Sequence, residues 1–406
     1  MSKLDELIRE LCPDGVEYVK LGTLCSLITK QTGFDYTNHI KARLLMEPAE
    51  NAVPYIQTKF FAGKNFNYQT DYYVPMDIVE QFPKITLDEK CILFSIVGAS
   101  IGNVGLFPGE RKCFLGGAIC VAKVLPQYDV DYVYYCVESH NVQHQIRRKT
   151  KGAGQATITV EDIREFEIPL PPIEIQSEIV RILDNFTNLT AELTAELKAR
   201  GIQYSYYRNK LLTFHSDTKI VQLADIADIG TGSSNTNEAV EDGKYPFFVR
   251  SQEPLRKNDF EYDETAIITA GDGVGVGKVY HYIEGRYALH QRAYRIHINT
   301  PEVVPKYYFH YMKAKFLPYI QKTMFQGSVA SIRRPMLNAF PVPVPSLDVQ
   351  NRIVKVLDNF EKICSDLNIG LPAEIEARQK QYEYYRDKLL TFAENGNTIL
   401  SRAEQS

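Results

Sequence analysis

The chain has no tryptophan and no apolar run near the roughly 18 to 20 residues that a membrane-spanning helix needs. It also lacks net positive charge. Its 46 Lys and Arg stand against 50 Asp and Glu, a formal charge of −4. That excludes a protein that coats nucleic acid through a global positive field and confines any such surface to local patches. The seven cysteines (Cys12, Cys25, Cys91, Cys113, Cys120, Cys136, Cys364) are odd in number and form no C-x-x-C. Reduced, mostly buried thiols are expected rather than a disulfide or zinc framework. The eight histidines are scattered with no second ligand at metal spacing, so no structural metal is expected. The first ten residues alternate charge with leucine and carry no signal-peptide core. A cytoplasmic location is expected.

Recognisable catalytic motifs are scarce too. No H-E-x-x-H occurs, nor any Asn/Asp-Pro-Pro-aromatic string of the amino-methyltransferase kind. The chain is read as having no serine-nucleophile elbow. The run Gly271-Asp272-Gly273-Val274-Gly275-Val276-Gly277-Lys278 invites a phosphate-loop reading and fails it. Asp272 stands where the first glycine belongs, and Val279 where Ser or Thr must hold magnesium. A tight turn between strands is expected there. No catalytic constellation is expected.

What is present is a duplication. The 406 residues suffice for two to three domains at roughly 150 each, and 44% hydrophobic with 24% charged residues is a globular mixture. Aromatic character rests on 26 Tyr and 20 Phe. Ile168-Pro169-Leu170-Pro171, Ile175-Gln176 and Ile179 to Phe186 match Val342-Pro343-Val344-Pro345, Val349-Gln350 and Ile353 to Phe360. Further on, Tyr204 to Phe214 answers Tyr382 to Phe392, with four extra residues in the second copy. Weaker matches lie upstream: Ala156-Thr157-Ile158 with Ala330-Ser331-Ile332, Val19-x-Leu21 with Val221-x-Leu223, and Gly98 to Gly102 with Gly271 to Gly275.

Each repeat reads as helix. One stripe runs Ile175, Ile179, Ile182, Phe186, Leu189, Leu193, Leu197, Tyr204, Tyr207, Leu211 and Phe214. The other runs from Val349 through Ile375, Tyr382, Tyr385 and Leu389 to Phe392. Alternating steps of three and four mark a coiled-coil seam. Arg200 and Arg378 occupy the one polar position in each, where they either fix register or snorkel outward. Gly370-Leu371-Pro372 is expected to break the second helix, with Gly370 capping its first part. The first copy has instead a tandem tetrad, Thr190-Ala191-Glu192-Leu193 and Thr194-Ala195-Glu196-Leu197. A helix over 173–214 would span about 63 Å, and a third tetrad would advance it by about 6 Å.

The organisation expected is α+β: a first variable domain at 1–172, a helical spacer at 173–214, a second variable domain at 215–345, a second spacer at 346–392, and a poorly ordered tail at 393–406. The variable domains carry short apolar runs, such as Cys91 to Phe94 and Ala118 to Val121, that suggest short strands. Helices are expected over Val130–Ile146 and Pro305–Lys322. Local charge lies in these domains. Residues 303–347 hold no Asp or Glu but six basic residues, and 139–160 likewise hold no acid. Candidate DNA contacts are therefore Arg147, Arg148, Lys149, Lys151 and Gln155 in the first domain. In the second they are Lys313, Lys315, Gln326, Ser328, Arg333 and Arg334. Basic side chains meet phosphates, and Arg or Gln can pair with base edges. Solvated helix faces are the plainer alternative.

The paired Pro-rich-to-helix junctions with Gln176 and Gln350 resemble the specificity (S) subunit of type I restriction-modification enzymes. So do the paired endings Tyr206-Tyr207-Arg208 to Leu212 and Tyr384-Tyr385-Arg386 to Leu390, and the segment Glu374 to Tyr382. The resemblance covers nearly the whole chain. It implies two target-recognition domains, each reading half of a split double-stranded DNA site, held apart by an antiparallel coiled coil of the two helical regions. It implies a chain without catalysis of its own. Partners would be two adenine-methylating modification subunits using S-adenosylmethionine, and restriction subunits using ATP and Mg for translocation and cleavage. A methylation-only or type II-like specificity subunit, and a coiled-coil scaffold without a DNA role, remain alternatives.

Overall fold

The computed structural model describes residues 2–33, 36–150, 156–323, 331–365 and 369–393. They fall into two compact units, Met1–Ala191 with Glu376–Ser406, and Glu192–Ile375.

The first unit opens on helix Lys3–Leu11, whose N-terminus is closed by reciprocal bonds between Ser2 and Asp5. Strand Glu17–Lys20 pairs antiparallel with Glu167–Leu170, so the start and finish of the first variable domain lie side by side. Between them are two four-stranded sheets. One runs Tyr73–Pro75, Ala52–Ile56, Cys113–Leu115, Thr86–Leu87; the other runs Cys25–Lys30, Ile119–Val124, Cys91–Ser95, Val104–Phe107. The apolar runs of the sequence are the central strands of the second sheet. Ile92, Phe94, Cys120 and Ala122 pack into one core and Cys91, Leu93, Ile119 and Val121 into another. A sheet covered on both faces needs apolar residues at every position, which is why these strands show no alternation.

The second unit repeats the plan with one six-stranded sheet in the order Ala227–Thr231, Ala293–Ile298, Tyr262–Ala270, Tyr280–Leu289, Tyr245–Phe248, Leu255–Lys257. Ile220–Gln222 pairs antiparallel with Pro341–Pro343, as the equivalent strands do in the first unit. The glycine-rich run is the turn between strands Tyr262–Ala270 and Tyr280–Leu289. Its true counterpart is shifted by two from the sequence match. Gly98 and Gly102 correspond to Gly273 and Gly277, and all four have positive φ, between 69° and 88°.

The helices differ from expectation in three places. The expected helix Val130–Ile146 is two helices, Val130–Glu138 and His140–Lys149. Ser139 is extended, and its hydroxyl donates to the Cys136 carbonyl at 2.6 Å, competing with the helical bond. The second spacer is Leu347–Ser365 and Leu371–Leu389. Gly370 begins the later helix rather than ending the earlier one, because its carbonyl accepts from the Glu374 N–H. The first spacer is one helix, Ile173–Leu211. Its buried face at the start is Ile175, Ile179 and Leu183, not Ile182, and at the end Leu212 is buried rather than Leu211. Ile353, Leu357 and Leu390 repeat this, because here each helix is buried against a variable domain as well as along its seam. All seven cysteines are free thiols, and burial pushes Cys136 up to about 12.

Candidate nucleic-acid interface and its frame

The repeated residues of the sequence become a repeated set of bonds. Gln176 is buried at the first junction; its Oε1 accepts from the Asp129 N–H at 3.2 Å, and its Nε2 donates to the Pro171 carbonyl at 2.8 Å. Gln350 accepts from the Val304 N–H and donates to the Glu302 and Pro345 carbonyls, each at 2.8 Å. One amide thus satisfies both the entry to a domain helix and the proline-rich exit, where buried backbone groups would otherwise go unpaired. Tyr132 donates to the Pro169 carbonyl and Tyr307 to the Pro343 carbonyl, both at 2.9 Å.

The spacer helices meet through exchanged halves of the repeat. In the first unit Phe186 stacks on Tyr385, with centroids 5.5 Å apart; in the second Phe360 stacks on Tyr207 at 5.8 Å. The second-unit pair is antiparallel: Arg200 lies near Cys364 while Tyr204 donates to Glu361 at 2.9 Å. Arg200 bonds along its own helix to Glu196 and Gln203, and Arg378 to Gln381. Leu193, Leu197, Leu211, Ile375 and Leu389 are half-buried, and Tyr382 is buried.

The basic candidates separate into groups. Arg147, Arg148 and Lys149 form the last turn of His140–Lys149, where the helix dipole favours cations. Arg147 and Arg148 are exposed, while the Lys149 ammonium lies 5.9 Å from the Phe166 ring centroid. Arg333 and Arg334 are exposed at the start of helix Arg334–Asn338. Lys315 is half-buried on helix Pro305–Thr323. Lys313 on that helix is turned to the spacer instead, 2.7 Å from Glu361. Lys151, Gln155, Gln326 and Ser328 lie outside the described residues.

Two readings of the sequence need correction. Gly98-Ala99-Ser100-Ile101-Gly102 does spell a G-x-S-x-G nucleophile elbow. The structure gives it another use: a 3-10 turn joining antiparallel strands Cys91–Ser95 and Val104–Phe107, not the strand-to-helix turn that an elbow requires. Likewise His310, isolated in the sequence, meets Asp358 and Glu361, with donor atoms within 4.8 Å of one another. Lys313 is already ion-paired with Glu361, Lys306 stands 4.0 Å from Asp358, and Tyr204 donates to Glu361. The arrangement is a charge-balanced bond network, and a cation entering it would displace an ammonium. Burial is the main influence on His310 and holds its pKa below the usual histidine range, despite both carboxylates.

The structure also assembles a group that the sequence reading passed over. Asp272 accepts from Arg250 at 2.7 Å and from Arg292 at 3.2 Å. The three residues come from three strand ends, and no linear spacing betrays them.

The family model described as "Type I restriction modification DNA specificity domain" matches residues 13–200 and again 215–377. The chain belongs to this family. It is 37% identical over 261 residues to the Escherichia coli type I restriction enzyme EcoR124I/EcoR124II specificity subunit, which covers 56% of this chain and 63% of the relative, less than two thirds of its length. A putative type I restriction enzyme specificity subunit of Haemophilus influenzae is 30% identical over 268 residues, 60% of this chain and 68% of the relative. The crystal structure of a type I restriction-modification S subunit from M. genitalium shares the fold, with a TM-score of 0.58 at 16% identity over 93% of this chain and 96% of that one. Among the described residues no helix is long and apolar enough to cross a membrane.

Proposed function

We propose that this chain is the DNA-reading subunit of a type I restriction-modification assembly, each recognition domain selecting one half of a split site and the spacer helices setting the gap. The observation that carries this reading is the doubled match to the DNA specificity domain, laid on two domains with the same junctions. The chain itself is non-catalytic. Modification subunits supply adenine methylation with S-adenosylmethionine, and restriction subunits supply ATP- and Mg-dependent translocation and cleavage, all in the cytoplasm. Exchanging residues 215–345 for those of a relative changes one half-site and leaves the other, as read by mapping methylated adenines. Both half-sites changing together would contradict the modular reading. No gel shift of duplex DNA, with or without a modification subunit, would favour a scaffold instead.

A further inference from the structure

The Arg250–Asp272–Arg292 group is built, not incidental. Gly271 donates its N–H to the Arg292 carbonyl at 2.8 Å, His290 donates to the Phe248 carbonyl at 2.9 Å, and Ile332 donates to the Gly271 carbonyl at 2.8 Å. These bonds fix the three strand ends that present the side chains. At Gly275 an added Cβ would lie 2.5 Å from the Arg250 carbonyl, so the turn carrying Asp272 closes against Arg250 only with glycine there.

The Asp272 side chain is largely covered at 22% exposure, while the Arg250 and Arg292 side chains are 42% and 59% exposed. Each guanidinium has five N–H donors, and the bonds to Asp272 use one Nη1 of each. The carboxylate therefore holds two forks in place with donors to spare, which lowers the entropy lost when they engage a ligand. The group keeps one net positive charge, and exposed Arg333 and Arg334 follow in the chain two and three residues after Ser331, which bridges to Asp272. Nearby His290 is held below its usual pKa, first by burial and then by these same two arginines, against the opposing carboxylates of Asp272 and Glu238.

The first domain offers the contrast. In both domains a parallel strand pair, Ile56 beside Leu115 and Phe248 beside Leu289, leads into a turn of equal length. By that register Arg250 and Arg292 correspond to Thr58 and Ala118. The antiparallel pairing of Ser95 with Ile119 and of Ala270 with Ala293 places Val97 at Asp272. The first domain thus has no charge at these positions. Its Gln31, Gln57 and Thr58 line a cleft of about 470 Å³ instead. Junction contacts are shared between the domains, and this group is not, as expected of residues that select different sequences.

We propose that Arg250 and Arg292, held by Asp272, read guanine in the half-site selected by residues 215–345. Guanine is the base that presents two acceptors, O6 and N7, to a guanidinium fork in the major groove. This inference rests on the DNA-reading function proposed above.

The test uses the chain assembled with modification subunits and duplex libraries randomised at each half-site. The unaltered complex first defines the site. Arg250→Ala and Arg292→Ala are then expected to lose about 5- to 150-fold preference at a guanine position of one half-site, with the other half-site unchanged. Arg250→Lys and Arg292→Lys keep the charge but not the fork and are expected to lose the same preference while keeping the salt dependence. Asp272→Asn gives a smaller loss. Guanine still demanded by the alanine and lysine variants overturns the inference. So does affinity that falls equally for every sequence with a shallower salt slope, the mark of phosphate contact. An unaltered complex that discriminates no sequence overturns the DNA-reading function itself, and this inference with it, before any variant is made.

Discussion

The two junctions that fasten recognition domain to spacer use the same positions with different charge. In the first, Asp131 is paired with Lys64 and Lys90; burial opposes its ionisation, but the two ammonium groups hold its pKa low. Tyr135 donates to Asp184 at 2.5 Å, and Glu138 accepts from Tyr134 and Tyr382 with Arg386 at 3.7 Å. In the second junction Lys306 stands where Asp131 does, His310 where Tyr135 does and Lys313 where Glu138 does. Their acids, Asp358 and Glu361, sit on the spacer helix. Glutamine, tyrosine and proline contacts are common to both, so they make a recognition domain fit the frame. The charges differ, so the two junctions are not electrostatically interchangeable. A second-domain helix in the first position would leave Lys313 without its acid, because Thr187 stands in the first spacer helix where Glu361 stands in the second, and an unpaired charge disfavours the wrong pairing.

Reversing one charge should have the largest effect. Glu138→Lys places an ammonium beside Arg386 and removes the acceptor of Tyr382. We expect a loss of about 3 kcal/mol in the first unit, measured by urea unfolding and partly restored by Arg386→Glu. A loss within about 0.5 kcal/mol would show that charge does not key the junction.

The shared contacts come next. Gln350→Ala should cost about 2–3 kcal/mol, since it strands one N–H and two carbonyls, and Gln176→Ala somewhat less because fewer bonds are lost. Equal or reversed costs in the same measurement would show that the number of lost bonds does not set the cost.

The third expectation concerns pH. His310 has a depressed folded pKa, so the unfolded chain binds more protons below about pH 6.5. Its contribution to stability is complete above that pH and is lost as pH falls toward the folded value. His310→Tyr copies Tyr135, whose pKa burial pushes upward, and should flatten the pH dependence of thermal unfolding between about pH 5 and 7. An unchanged profile would assign the dependence to other groups. The smallest effect on stability belongs to Arg333→Ala with Arg334→Ala. Both are exposed, and the change should read out as a salt slope of DNA binding lowered by about one per lost phosphate contact.

The repeat, the helices and the family were legible because they rest on local signals: paired prolines, the glutamine after them, tyrosine spacing and three-four periodicity. Burial of Leu183 rather than Ile182 was not, since one seam pattern cannot show that the helix is covered on a second side. Lys313 looks like a DNA contact in the sequence because an acid-free stretch suggests an outward field; its acid, Glu361, arrives from a different helix. Arg250, Asp272 and Arg292 were silent for the same reason. Only strand register brings them together.

The stacking of Phe186 on Tyr385 has a consequence for the order of assembly. Tyr382 and Leu390 belong to the first core, Val16 donates its N–H to the Ala393 carbonyl, and Tyr18 bonds to the backbone of Phe392. The first domain is therefore closed by a segment synthesised after the whole of the second unit. On the ribosome, where earlier domains ordinarily finish first, this one waits with Tyr18, Glu138 and Phe186 uncovered. A chain interrupted before residue 376 leaves its first domain open, so completion of that domain reports that the second has been made.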